Sequence, residues 1–96
     1  MPKGYWVAKA NIIDNEKLAR YGKQAEIAVK KYGGRFLVRG GRHETKEGID
    51  YSRNVVVEFD SYDVAITAYG SEEYKKALQL LEGGADRMYA IVEGYE

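Results

Sequence analysis

Cysteine is absent from this 96-residue chain, and histidine and proline occur once each, as His43 and Pro2. Without cysteine there are no disulfides, no thiolate metal sites and no cysteine nucleophile. A single histidine cannot build a histidine-rich metal site, and neither HxxxH nor HExxH spacing occurs, so no metal and no cofactor is expected. Charge of one sign is not in excess. Fifteen basic residues balance 15 acidic ones, and no net field draws nucleic acid or an anionic membrane. Long apolar runs are also missing: Gly4-Tyr5-Trp6-Val7-Ala8 is interrupted by Lys9 and Asn11, too short for a signal h-region or a membrane span. The expectation is a soluble cytoplasmic protein.

What is present is 45% hydrophobic residues, 9 tyrosines and 11 glycines, enough for one core in a single domain over residues 1–96. Gly4 to Asn11 reads as a strand, because Tyr5, Trp6 and Val7 favour extended backbone. Asp14 is a helix N-cap, with Ile13 and Leu18 placed to form a hydrophobic staple. Leu18, Tyr21, Ala25, Ala28, Val29 and Tyr32 then recur at helical spacing, and Gly33-Gly34 stops the helix. A second strand starts at Arg35. Gly40-Gly41 reads as a bulge in it, followed by extended chain to Lys46, a turn at Glu47-Gly48 and a return strand ending at Phe59. Ser61 and Ser71 cap two further helical stretches separated by Gly70, and Met88 to Val92 is the last strand.

The order β-α-β-β-α-β is that of an α+β, ferredoxin-like split βαβ fold, with a four-stranded antiparallel sheet and helices on one face. Strand parity assigns Trp6, Ala8, Phe36, Val38, Val55, Val57 and Phe59 to the helix side. The opposite face retains Tyr5, Val7, Leu37, Val56, Met88 and Val92, too apolar to be left in water, so a homodimer packed sheet to sheet is expected. Lys9, Leu37, Val56 and Glu58 mark that interface, with Glu58 set between Lys9 and Arg39 as an ion-pair network or a ligand cluster.

The run Tyr32-Gly33-Gly34-Arg35-Phe36-Leu37-Val38-Arg39-Gly40-Gly41 carries a specific likeness. Together with Glu58-Phe59, Ser61, Ser71-Glu72-Glu73-Tyr74 and Val92-Glu93-Gly94, the chain resembles the bacterial domain-of-unknown-function family DUF1330, of the dimeric α/β-barrel superfamily. The resemblance covers essentially the whole chain and implies a homodimer whose two sheets close a barrel. Wider relatives include cofactor-independent monooxygenases, haem enzymes and lactone isomerases, often with a pocket between sheet and helices. The family itself supplies no reaction. The chain departs from the family pattern at Asp60 and Glu72, where proline is common, at Ala68, and near Leu80 to Glu82, which lacks a basic residue.

His43 is the natural candidate for a general base near neutral pH, and a bulge at Gly40-Gly41 would turn it toward the helix side; otherwise it is an exposed histidine of the long hairpin formed by the second and third strands, without a role. Trp6, Tyr32 and Tyr69 can line an apolar pocket, or simply pack in the core with their polar atoms at its edge. Arg35, Arg39, Arg42 and Arg53 cluster on the second and third strands and can hold a carboxylate or phosphate. The aromatic-basic pattern of RNA-binding sheets is not matched, so nucleic acid is not an expected partner. Whether the protein is an enzyme stays open. The reading is a small homodimer that binds a small molecule between sheet and helices, with Arg39, His43 and Tyr69 the residues to test for cofactor-independent catalysis; the alternative is a non-catalytic interaction or ligand-sequestering module.

Overall fold

The computed structural model describes residues 1–96. Its elements are β1 (Gly4–Ile12), α1 (Asn15–Lys31), β2 (Arg35–Arg39), β3 (Arg53–Phe59), α2 (Tyr62–Tyr69), α3 (Glu72–Leu81) and β4 (Ala85–Glu93). The four strands form one antiparallel sheet in the order β2-β3-β1-β4. This is the ferredoxin-like arrangement, with the second helical segment split in two at Gly70-Ser71. No helix is long and apolar enough to cross a membrane.

Local sequence explains the element ends. The Asp14 carboxylate accepts from the amides of Glu16 and Lys17, Ser61 from that of Val64 and Ser71 from that of Tyr74, so each helix begins on a side-chain cap. The Ile13–Leu18 staple does not hold the entry to α1, because Ile13 is 70% exposed. Instead the amides of Ile13 and Asp14 both donate to the Gly84 carbonyl, at 2.8 and 3.0 Å, tying the start of α1 to the turn before β4. The glycine pair that stops α3 thus also anchors α1.

Between sheet and helices lies the core: Trp6, Ala25, Ala28, Val29, Val57, Phe59, Ala65, Ala68, Tyr74 and Ala77. Small residues on the helices let them approach, and Trp6 fills the centre with the Phe59 and Tyr74 rings at 4.9 and 4.7 Å. Lys31 to Glu73, at 2.7 Å, and Gln24 to the Glu73 carbonyl, at 3.1 Å, link α1 to α3.

The expectations for β2 need correction. Its register slips between Phe36 and Val38, so the bulge falls at Leu37 and not at Gly40-Gly41. Phe36 sits opposite Val57 on the helix side, but Val38 pairs with Val56 on the outer face and Arg39 with Val55 on the helix side. The strand then ends. Gly40 and Gly41 both take left-handed backbone (φ +74° and +84°), which turns the chain into a loop over residues 40–52 in place of a long hairpin. Because Arg39 leaves the outer face, the cluster of Lys9, Glu58 and Arg39 does not form. Glu58 instead accepts from Arg35 and, at 2.9 Å, from the Tyr5 hydroxyl. Val7, Leu37, Val38, Met88 and Val92 are exposed. Apart from that ion pair, and from Lys9, Asn11, Asn54 and Asp86 at one end, the outer face is apolar.

Candidate functional site

A partly enclosed cleft opens between α1 and the sheet, with a free volume of about 70 Å³. Side-chain size explains why it exists. The central strand β1 presents Ala8 and Ala10 as its floor, and α1 presents Gly22 and Ala25 above them, where larger residues would fill the gap. Phe36, Val55, Val57, Leu18 and Val29 complete apolar walls, and Trp6 closes the inner end.

Three arginines also line the cleft: Arg39, Arg53 and Arg87. Register explains two of them. Arg53 on β3 and Arg87 on β4 both pair with Ala10, so they flank that alanine from its two sides. The bulge at Leu37 brings in the third. Arg39 lies over the Phe36 ring at 4.1 Å, donates to the Gly22 carbonyl at 2.9 Å and stands 3.6 Å from Glu26.

Arg87 is held by aromatic groups. Its guanidinium lies 5.1 Å from the Tyr21 ring centre and 4.9 Å from that of Tyr89, and Nη1 donates to the Tyr21 hydroxyl at 3.1 Å. The Tyr21 and Tyr74 hydroxyls are 2.6 Å apart, and Tyr74 donates to Tyr89 at 3.3 Å. Each hydroxyl has one proton, so the row runs one way: Arg87 to Tyr21 to Tyr74 to Tyr89. Burial pushes the Tyr74 and Tyr89 hydroxyls far above the ordinary tyrosine range, and the neighbouring hydroxyls push them further. Desolvation alone would lower Arg87, but the tyrosine oxygens around it outweigh that and hold it protonated.

The structure brings together only some of the residues singled out in the sequence. Trp6, Arg39 and Arg53 meet at the cleft. Tyr69 does not line it: its ring packs 5.0 Å from that of Tyr74 and 5.3 Å from that of Tyr89 in the core. Tyr32, the C-cap of α1, packs half-buried against the core outside the cleft. His43 lies in the 40–52 loop, 3.7 Å from Asp50, and does not turn into the cleft, because β2 ends at Arg39 and the left-handed Gly40 and Gly41 lead the chain out of the sheet before it. Lys9, Leu37, Val56 and Glu58 are away from the cleft; Lys9, Val56 and Glu58 share the outer face. Arg87 and Tyr21 were not picked out as site residues. The signal for Arg87 was its strand parity with Tyr89 and Ile91, on the side facing the helices. No group of three or more histidine, aspartate or glutamate residues is placed to hold a metal ion.

The family model described as "Domain of unknown function (DUF1330)" matches residues 3–95. No functionally curated protein matches the chain. Among solved structures, a protein of unknown function from Rhodopseudomonas palustris superposes with a TM-score of 0.78 at 13% identity, over 99% of this chain and 84% of that one. SnoaB, a cofactor-independent oxygenase from Streptomyces nogalater, gives 0.63 at 9% identity, over 100% and 96%. A dimeric ferredoxin-like protein of unknown function from Thermobifida fusca gives 0.57 at 14%, over 96% and 91%. At these identities the likeness is one of fold.

Proposed function

The chain belongs to the DUF1330 family, and on that footing we propose that it is a homodimeric protein that binds a small molecule in the cleft between α1 and the sheet. The observation that carries the reading is the cleft itself. Ala8, Ala10 and Gly22 hold open an apolar space in a core that is otherwise closely packed, with a few polar groups converging on it. The dimer forms through the outer sheet face, where Val38, Val56 and Val7 make a row across β2, β3 and β1, and Met88 and Val92 lie beyond it on β4. The Thermobifida fusca protein of the same fold, described as dimeric, supports a dimer.

A thermal-shift screen of small molecules against the chain and its Ala8→Leu variant tests the cleft. True cleft ligands raise the midpoint of the parent and lose their effect once leucine fills the floor; hits indifferent to the leucine overturn the reading. Light scattering tests the dimer, which has twice the 10.9 kDa mass of the chain. A single-chain mass at micromolar concentration overturns it.

Binding without turnover is favoured by the lining, which contains no carboxylate and no imidazole. A second reading, cofactor-independent catalysis of the kind named for SnoaB, has one observation in its favour: the row of hydroxyls from Tyr21 to Tyr89 begins at the cleft and can pass a proton. Tyr21, which lines the cleft and heads that row, is the candidate proton carrier in that reading, since His43, expected as the base, lies outside the cleft. Oxygen consumption or product formation with a cleft ligand, lost in Tyr21→Phe and kept in His43→Ala, would establish it. Turnover abolished by His43→Ala and untouched by Tyr21→Phe overturns it.

A further inference from the structure

The guanidinium groups at the cleft are not balanced by acids. Arg39 has Glu26 at 3.6 Å, but neither Arg53 nor Arg87 has a carboxylate within 4.0 Å. Glu82 lines the shallow depression on the other side of Arg87 without reaching it. Arg87 donates one bond, to a neutral hydroxyl, and is set among aromatic rings; Arg53 makes no side-chain hydrogen bond or ion pair. Taking a cation partly out of water without a counter-charge is unfavourable, so such a pair is poised for an anion. Its position is equally specific. Arg53 and Arg87 stand on the strands either side of Ala10, so their Cα atoms are about 10 Å apart. Their long side chains can close over that alanine from both sides, at one end of an apolar space.

We propose that the ligand of this cleft is a small monocarboxylate with a short apolar tail, its carboxylate held between Arg53 and Arg87 and its tail laid over Ala8 and Ala10. This rests on the cleft being the binding site. Volume sets the tail: a cavity of about 150 Å³ takes the six carbons of benzene, so about 70 Å³ takes roughly three carbons. A branched alkyl end fits; a fused ring system does not. Guanidinium planes suit a carboxylate because two parallel N–H bonds can reach its two oxygens.

The test is a titration of isotope-labelled protein, followed by amide resonances, with 2-methylpropanoate, its neutral amide 2-methylpropanamide, and inorganic phosphate. The acid is expected to move the resonances of Ala8, Ala10, Gly22 and Arg87 and to bind at least about tenfold tighter than the amide. Arg53→Gln, which breaks no bond within the protein, should weaken the acid about tenfold and leave the amide unchanged; Arg87→Gln should do the same, provided its melting curve shows it folded. If the amide binds the cleft as tightly as the acid, the carboxylate assignment falls while the binding cleft stands. If phosphate matches the acid, the site recognises bare charge, and the apolar-tail assignment falls. If neither acid nor amide moves the cleft resonances, the cleft reading and this one fall together.

Discussion

The indole N–H of Trp6 donates to the main-chain carbonyl of Ala65 at 2.9 Å, joining the middle of β1 to α2. The indole is almost wholly buried and is the one tryptophan in the chain. Trp6→Phe removes the bond and leaves a void beside Phe59 and Tyr74. The expected loss is about 2–3 kcal/mol in urea unfolding followed by circular dichroism. A loss within the error of the parent would show that the indole does not organise this core.

Glu58 ties stability to acid pH. The Arg35 guanidinium first, and then the Tyr5 hydroxyl, hold its carboxyl below the ordinary value of about 4.5, against the desolvation that would raise it. The unfolded chain therefore takes up this proton at higher pH than the folded one. The stabilisation is complete above the ordinary value and is lost as pH falls through the depressed folded value. Glu58→Gln should melt below the parent near about pH 6, and the gap should narrow steadily as pH falls below the ordinary carboxyl value. A gap that does not change with pH would mean the carboxylate charge is not the stabilising feature.

Tyrosines act at the other end of the scale. Tyr74 and Tyr89 have folded values raised above the ordinary 10.0, chiefly by burial. Their contribution is whole below that value and is lost as pH rises above it, because only the unfolded chain ionises there. An absorbance titration should show two of the 9 tyrosines silent until the protein unfolds in alkali. Smooth ionisation of all of them in the folded state would contradict the buried hydroxyl row.

Gly4 is a position of close approach. A Cβ there would lie 2.3 Å from the Ser61 carbonyl oxygen, in the backbone that starts α2. Gly33, by contrast, has open space around it but left-handed backbone at φ +72°. Gly4→Ala should cost about 2–3 kcal/mol or more, and Gly33→Ala about 1–2 kcal/mol. Thermal melts that reverse this order would show that α2 can move away from β1 at little cost.

Helix caps, the apolar stripe of α1 and the apolar outer face were legible in the sequence, since each follows from local residue chemistry or from periodicity. Asp14, Ser61 and Ser71 cap helices as expected because a short polar side chain next to free amides has one good use. The cleft was only half legible. Arg39 and Arg53 stood out as part of an arginine cluster, but their meeting at one cleft and the inclusion of Arg87 depend on cross-strand register, which no single segment contains. Ala8 and Ala10 look like unremarkable strand residues until the helix above them is seen to carry Gly22. The tyrosines of the helices resolved toward packing: Tyr74 is fully buried, and Tyr69 joins an aromatic stack.

The extra residue at Leu37 works as a frame shift inside a strand. Upstream of it, β2 keeps the phase that seats Phe36 against Val57; downstream, the phase is inverted, so Val38 meets Val56 and Arg39 meets Val55. One insertion therefore adds a cation to the cleft and an aliphatic side chain to the opposite face in the same step. The two surfaces cannot drift independently along this strand. Were Leu37 to pair regularly instead of bulging, their contents would trade at once, placing Arg39 on the face offered to a second copy and Val38 beside the cleft, whereas deleting Leu37 would leave both where they are.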